Sequence, residues 1–196
     1  MNYMFEKCNS LTSVALSNLN ASNLENMQYM FDGCISLNSI DLSNFNAGKV
    51  KNLDNIFSSP FENIHIKFIN MSNFQADKLE RINYMFNELK NLTILDFSNF
   101  KAPLVEDAEG LFMDCISLES IYFGNYFISN NLKSVKYMFY NCENLISVDL
   151  STIKTNNIEN MDGMFYGCRN LTYIDLSNFI TNSCISLQEI FSYCLS

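Results

Sequence analysis

The chain repeats one short phrase at a fixed interval. The phrase Met-Phe-x-x-Cys occurs four times and ends at Cys8, Cys34, Cys142 and Cys168. Cys8 and Cys34 are 26 residues apart, and so are Cys142 and Cys168. A fixed period in the twenties is typical of one supersecondary unit stacked on copies of itself, not of a globular domain around one central core. We therefore expect a solenoid whose function depends on an extended surface.

The two halves of the repeat have different hydrophobic patterns. In the first half, Ile40 and Leu42 alternate with small polar residues, which predicts a short strand. In the second half, apolar residues recur at offsets that fall on one stripe of a helix: Leu24, Met27, Met30, Phe31 and Cys34. Ser22-x-x-Glu25 resembles a capping box, and Gly33 falls where a left-handed helix end is needed. Each repeat is thus predicted to contain one short strand and one short helix.

The strand phrase recurs along the whole chain. Its first residues are Leu11, Leu37, Ile66, Leu92, Leu118, Leu145 and Leu171. These starts predict a single domain over residues 1–196 with about seven repeats of 26–29 residues. Extra residues near Pro60–His65 and Ile128–Asn131 fall in connections, where insertions do least harm. Both ends lie within a repeat and no polar capping unit is recognisable, so we expect a piece of a longer protein.

The full phrase, Met-Phe-x-x-Cys-x-Ser-Leu-x-Ser-Ile-Asp-Leu-Ser-Asn-Phe, resembles the BspA-like leucine-rich repeats of bacterial and protozoan surface proteins. The resemblance covers essentially the whole chain. It implies an α/β leucine-rich-repeat solenoid, a horseshoe with a parallel concave sheet and one short helix per repeat on the convex side. It also implies a cell-surface or secreted location and adhesion to matrix or cell-surface proteins.

The repeat departs from the commonest leucine-rich pattern three residues after the last strand leucine, where that pattern has Asn or Cys. This position is held by Leu19, Phe45, Phe74, Phe100, Tyr126, Ile153 and Phe179. We predict that these residues form a stacked apolar column that fills the turn. An asparagine column stands one residue earlier, at Asn18, Asn44, Asn73, Asn99, Asn125 and Asn178. Its side chains are predicted to close the turn.

Six of the seven cysteines share one position in the repeat: Cys8, Cys34, Cys115, Cys142, Cys168 and Cys194. Pro60 and Leu89 occupy the same position in two other copies, which a packing site tolerates and a ligand site does not. Cys184 lies at another apolar position. We therefore expect all seven to be reduced core residues. Disulfides and metal binding remain open alternatives, although there is no Cys-x-x-Cys and only one histidine.

The outward positions of the strands supply the candidate binding face. Most of them hold Ser or Asp, and a few hold aromatic or aliphatic residues. The candidate partner-binding residues are Asp41, Phe68, Asn70, Ile94, Asp96, Tyr122, Asp149, Tyr173 and Asp175. Exposed aromatics among small polar residues are plausible anchors for a protein partner. Alternatively, short polar side chains here serve only to keep an open sheet soluble and closely stacked.

Composition and motifs narrow the function further. The net charge of −9 argues against nucleic acid and anionic membranes, and no apolar run or signal peptide indicates membrane insertion. The single histidine, His65, lies in an insertion, and phosphate-loop and zinc signatures are absent. We therefore predict a non-enzymatic protein–protein interaction module with no cofactor and no metal. The alternatives are an intracellular scaffold using the same face and, more remotely, a metal-dependent module or enzyme.

Overall fold

The structure is a computed structural model that describes residues 2–17, 19, 21–57, 65–124 and 130–195. Its strands are β1 (Ser13–Ala15), β2 (Ser39–Asp41), β3 (Phe68–Asn70), β4 (Ile94–Phe97), β5 (Ser120–Phe123), β6 (Ser147–Val148) and β7 (Tyr173–Ile174). Each begins two residues after one of the predicted strand phrases begins. The regularity of the sequence is thus realised as one short strand for each copy of the strand phrase.

The strands pair in parallel with their chain neighbours. β1, β2 and β3 form one sheet, β4 and β5 a second, and β6 and β7 a third. Equivalent residues of successive repeats pair directly, as Ser13 does with Ser39 and Ser39 with Phe68. The predicted parallel solenoid is therefore confirmed. The hydrogen-bonded pairing is interrupted between β3 and β4 and between β5 and β6, although those strands still lie next to each other.

The predicted helix is wrong, because no helix is present among the described residues. In this half of the repeat, some backbone N–H groups bond to the next repeat and others bond to the carbonyl three residues back, as Asp32 N does to Tyr29 O, so no helical run of hydrogen bonds forms. Phe5 N donates to Met30 O at 2.9 Å, and Phe31 N donates to Ile56 O at 3.2 Å. Parallel bridges link Asn26, Asn52, Arg81, Asp107, Ser134, Asn160 and Ser186 in succession. The second half of the repeat is therefore a stack of tight turns.

Left-handed residues explain why the helix does not form. The residue before each Met-Phe phrase has positive φ, as at Tyr29 (53°) and Tyr137 (57°), and so has a second residue four positions later. An α-helix cannot continue through such residues. Gly33 and Gly167 do adopt the expected left-handed conformation, with φ of 71° and 72°, but within turns. The buried stripe was predicted correctly because the inward corners of these turns recur at nearly helical spacing.

The core is built from columns of identical residues. One column contains Phe5, Phe31, Phe57, Phe86, Phe112, Phe139, Phe165 and Phe191, whose neighbouring ring centroids are 5.4–5.6 Å apart. The predicted turn column is also present. Its rings Phe45, Phe74 and Phe100 are fully buried and stack at 5.8 and 5.5 Å. Rings can stack in this way because successive strands lie about 4.8 Å apart, close to an aromatic stacking distance.

Most column cysteines are core residues with a specific hydrogen bond. The thiols of Cys34, Cys115, Cys142, Cys168 and Cys194 each donate to the carbonyl oxygen of the column phenylalanine one repeat earlier, at 3.0–3.1 Å. Burial raises the pKa of Cys34 to about 11 and that of Cys168 to about 12. All seven cysteines are free. Leu89 fills the same column and is buried.

The expectation that every cysteine is buried is wrong at the edges of the stack. Cys8 is exposed because no repeat of this chain packs on the outer side of its turn, and Cys184 and Cys194 are half-buried. The predictions made for Asn18, Pro60, Asn125 and Tyr126 fall outside the described residues.

Candidate partner-binding face

We define the strand face as the outward side chains of the seven strands together with Asp149 and Asp175, which directly follow β6 and β7. Four large apolar side chains project from it. The exposed fractions are 58% for Phe68, 51% for Ile94, 57% for Tyr122 and 66% for Tyr173. The alternate strand residues point inward and are buried, except Val14, Phe123 and Ile174, which are partly buried against the core. The short strands thus hold these four side chains in solvent on a hydrogen-bonded backbone.

The structure gathers seven of the nine candidate residues into two shallow grooves. Phe68, Asn70, Ile94 and Asp96 line a groove of about 410 Å³ between β3 and β4, where the strand pairing is interrupted. Asp149, Tyr173 and Asp175 line a second groove of about 290 Å³ at β6 and β7. Asp41 on β2 and Tyr122 on β5 line neither groove. Tyr122 is paired with Asp96 in the β4–β5 register and lies beside the larger groove.

The acidic column of the strand face has a structural role that the sequence reasoning missed. In five repeats, the Oδ1 atom of the Asp or Asn in this column accepts a hydrogen bond from the backbone N–H of the serine two residues later. The pairs are Asp41–Ser43 (2.9 Å), Asn70–Ser72 (3.1 Å), Asp96–Ser98 (2.8 Å), Asp149–Ser151 (2.9 Å) and Asp175–Ser177 (2.8 Å). These side chains close the turn that ends each strand. The recurring Asp-x-Ser phrase was the available signal.

The asparagine column therefore does not act as predicted. Asn44 and Asn73 occupy left-handed positions with φ of 55° and 59°, which asparagine tolerates better than most residues. Their side chains bond to each other across repeats, with Asn73 Nδ2 donating to Asn44 Oδ1 at 3.2 Å. At Asn44 and Asn73 asparagine thus suits a left-handed backbone conformation, while the aspartate column makes the closing hydrogen bond.

The strand face is acidic. Hydrogen bonds from Ser151 lower the pKa of Asp149, and hydrogen bonds from Ser177 lower the pKa of Asp175. Both carboxylates are therefore ionised at neutral pH. Among the described residues, the outward strand positions carry no Lys, Arg or His. Lys67, just before β3, is the one cation among the residues lining the larger groove.

A second polar cluster lies on the turn side of the repeats. Asp54 is only 5% exposed; it accepts from Arg81 Nε at 3.0 Å and from Asn83 N at 2.8 Å. Asn83 Nδ2 in turn donates to Asp107 Oδ2 at 2.7 Å. Because its buried polar groups are paired, this cluster cross-links neighbouring repeats. Asp162 stands at the position of Asp54 in a later repeat and likewise accepts from a backbone N–H of the next repeat, that of Gln188 at 2.7 Å.

The remaining chemistry of the described chain is sparse. His65 is exposed, and its Nδ1 lies 3.2 Å from Asn91 Nδ2. In the part of the chain that the structure describes, no group of three or more His, Cys, Asp or Glu is placed to hold a metal ion. The same part contains no helix with the length and apolarity needed to cross a membrane.

Several solved structures resemble this chain. The leucine-rich repeat protein TpLRR of T. pallidum has a TM-score of 0.51 and 18% identity over 87% of this chain and 70% of its own. A leucine-rich repeat protein from Bacteroides ovatus has a TM-score of 0.44 and 18% identity over 99% of this chain and 55% of its own. A leucine rich cell surface protein from Faecalibacterium prausnitzii has a TM-score of 0.41 and 16% identity, and this chain spans 60% of its length. The first of these supports the leucine-rich-repeat fold.

No curated protein matches the chain. One family model, described as "Mycoplasma protein of unknown function, DUF285", matches residues 1–68, 61–145 and 125–196 in succession. These three matches together extend from the first residue to the last. The chain therefore belongs to the DUF285 family, and its resemblance to BspA-like leucine-rich repeat proteins is confirmed.

Proposed function

We propose that this chain is a non-enzymatic protein–protein interaction module that binds its partner through the strand face. The observation that carries the proposal is the outward position of Phe68, Ile94, Tyr122 and Tyr173, each more than half exposed. Other repeats place serine at the positions of Phe68, Ile94 and Tyr173, so the fold does not require large apolar side chains there. Clustered exposed aromatics mark protein-binding surfaces.

The finer part of the proposal concerns location and partner. Membership of a BspA-like family supports a cell-surface or secreted repeat protein that adheres to matrix or cell-surface proteins. An intracellular scaffold would use the same face, so the binding chemistry does not separate the two. Protease treatment of intact cells separates them. Loss of the protein from intact cells is expected for surface display, and full protection would favour the scaffold.

Binding is tested with purified extracellular-matrix proteins presented to the immobilised chain. The Tyr122→Ser/Tyr173→Ser variant is expected to lose about 2 kcal/mol or more of binding free energy, because exposed aromatic anchors carry much of such interfaces. Its melting temperature should stay close to wild type, since both rings are largely in solvent. Tyr193→Ser is the control, because Tyr193 is 64% exposed and lies on the turn side. Unchanged affinity of a folded double variant would contradict the proposal.

A further inference from the structure

The strand face combines an apolar groove with a surplus of negative charge. Phe68 and Ile94 form the apolar part of the groove between β3 and β4, and Asn70 and Asp96 line its polar side. Asp96, Asp149 and Asp175 are exposed along the same face. Lys67, just before β3, is the one cation that lines the groove, and the outward strand positions of the described chain carry none, so the face keeps a negative surplus. The face is thus complementary to a surface that is both apolar and basic.

The fold itself does not need these negative charges. Asn70 closes its turn through the same bond to a serine N–H, at 3.1 Å, as Asp96 does at 2.8 Å. An uncharged amide therefore serves the turn. Hydrogen bonds from Ser151 lower the pKa of Asp149 overall, and the nearby charge of Asp175 opposes this lowering. Like charges on adjacent strands repel. The presence of aspartate, where asparagine would also close the turn, at several repeats points to a role beyond turn closure.

We infer that the partner presents a basic polypeptide segment, with an apolar side chain docked in the β3–β4 groove and Lys or Arg residues facing Asp96, Asp149 and Asp175. This inference rests on the proposed function of the strand face. The exposed rings of Tyr122 and Tyr173 add surfaces on which a guanidinium or ammonium group can stack. Arginine suits such a site best, since it pairs with carboxylates and stacks on rings.

Strand spacing sets the length of the segment. Three strand intervals separate β4 from β7, and at about 4.8 Å each they span roughly 14 Å. About four or five extended residues, or about ten helical residues, cover that distance. The apolar residue and the most distant basic residue of the partner are therefore expected within one short stretch of chain.

A random dodecapeptide library displayed on phage and selected against the immobilised chain at low ionic strength tests the inference. Enriched peptides are expected to carry net positive charge and at least one aromatic or long aliphatic residue. Their affinity should fall about tenfold for the Asp96→Asn/Asp149→Asn/Asp175→Asn variant, because three weakly screened charge pairs are lost. Asparagine keeps each turn closed, as Asn70 does, so the variant should remain folded.

The control variant Glu25→Gln/Asp77→Asn/Glu159→Gln changes the net charge equally, at exposed positions outside the strand face. It is expected to bind the peptides like wild type, and an equal loss of affinity would overturn the inference. If the enriched peptides are neutral or acidic and bind the Tyr122→Ser/Tyr173→Ser variant more weakly than wild type, the inference of a basic partner is overturned but the strand face remains the binding surface. Peptides that bind that variant unchanged would count against the strand face and hence against the proposed function too. Failure to enrich any peptide also overturns the inference. It leaves the proposed function to the separate measurement of binding to matrix proteins.

Discussion

The turn column of aromatic rings should contribute heavily to stability, and Phe100→Ala tests this directly. The Phe100 ring is fully buried, and its centroid lies 5.5 Å from that of Phe74 and 4.6 Å from that of Phe97. Alanine removes the ring and leaves a cavity between stacked repeats that cannot fully collapse. The free energy of unfolding should therefore fall by about 3–5 kcal/mol. The two ring contacts supply part of this, at about 0.5–1.5 kcal/mol each.

The chain offers its own control for this substitution. Ile153 occupies the equivalent position of a later repeat and is 4% exposed, so the turn accommodates an aliphatic side chain. Phe100→Ile keeps most of the apolar volume and loses only the ring contacts and some fit. Its expected cost is about 1–2 kcal/mol.

Urea denaturation followed by far-ultraviolet circular dichroism measures both variants. The slope of the unfolding free energy against urea concentration must be the same for each variant as for wild type. A solenoid can unfold in parts, and the midpoints of variants that do so cannot be compared with that of wild type. A loss below about 1 kcal/mol for Phe100→Ala would refute the reasoning, since that is the size of an ordinary surface effect. Equal losses for the alanine and isoleucine variants would show that the apolar volume kept by isoleucine contributes nothing and that the ring contacts account for the whole loss.

Two further predictions concern the cysteine column and the left-handed turns. A thiol-alkylating reagent should label Cys8 rapidly in the folded protein and Cys142 only after unfolding, because burial covers Cys142 and raises its pKa. Mass spectrometry counts the labels, and rapid labelling of Cys142 in the folded protein would contradict this prediction. Gly163→Ala should lower the free energy of unfolding by about 1–3 kcal/mol. The reason is that Gly163 has φ of 56° and that a Cβ there would lie 2.7 Å from the Tyr137 ring. A melting temperature equal to that of wild type would contradict this prediction.

The strand register and the buried columns could be predicted from sequence because stacking is strictly periodic. A residue such as Phe68 pairs with its counterpart in the preceding repeat, Ser39, so an alignment of copies is also an alignment in space. The helix could not be predicted correctly for the converse reason. Hydrophobic spacing reports which side chains point inward, and both a helix and a series of tight turns satisfy it. Backbone partners about 26 residues away, as for Phe5 and Met30, decide between them.

The candidate face was predicted in outline, and its chemistry was only partly understood. Phe68 and Tyr173 were expected to point outward, and they do. The turn-closing role of Asp96 was missed, because a carboxylate on an outward strand position looks like a binding group until its hydrogen bond to Ser98 is seen. The Asp54–Arg81 pair was also missed. Asp162 and Ser186 stand at the corresponding positions of a later repeat, so the aspartate recurs but its arginine partner does not.

The sequence by itself determined that copies of one unit stack in register, because identical side chains recurring at one period bury each other only in that arrangement. It also determined which residues of each copy face inward. The tertiary structure alone decided the backbone between the strands, since left-handed residues such as Tyr137 donate their N–H groups to the next repeat, here to Asp162 O. It likewise decided where the sheet pairing is interrupted and where the Phe68–Ile94 groove lies. Such contacts depend on the fit between whole repeats, which local spacing does not encode.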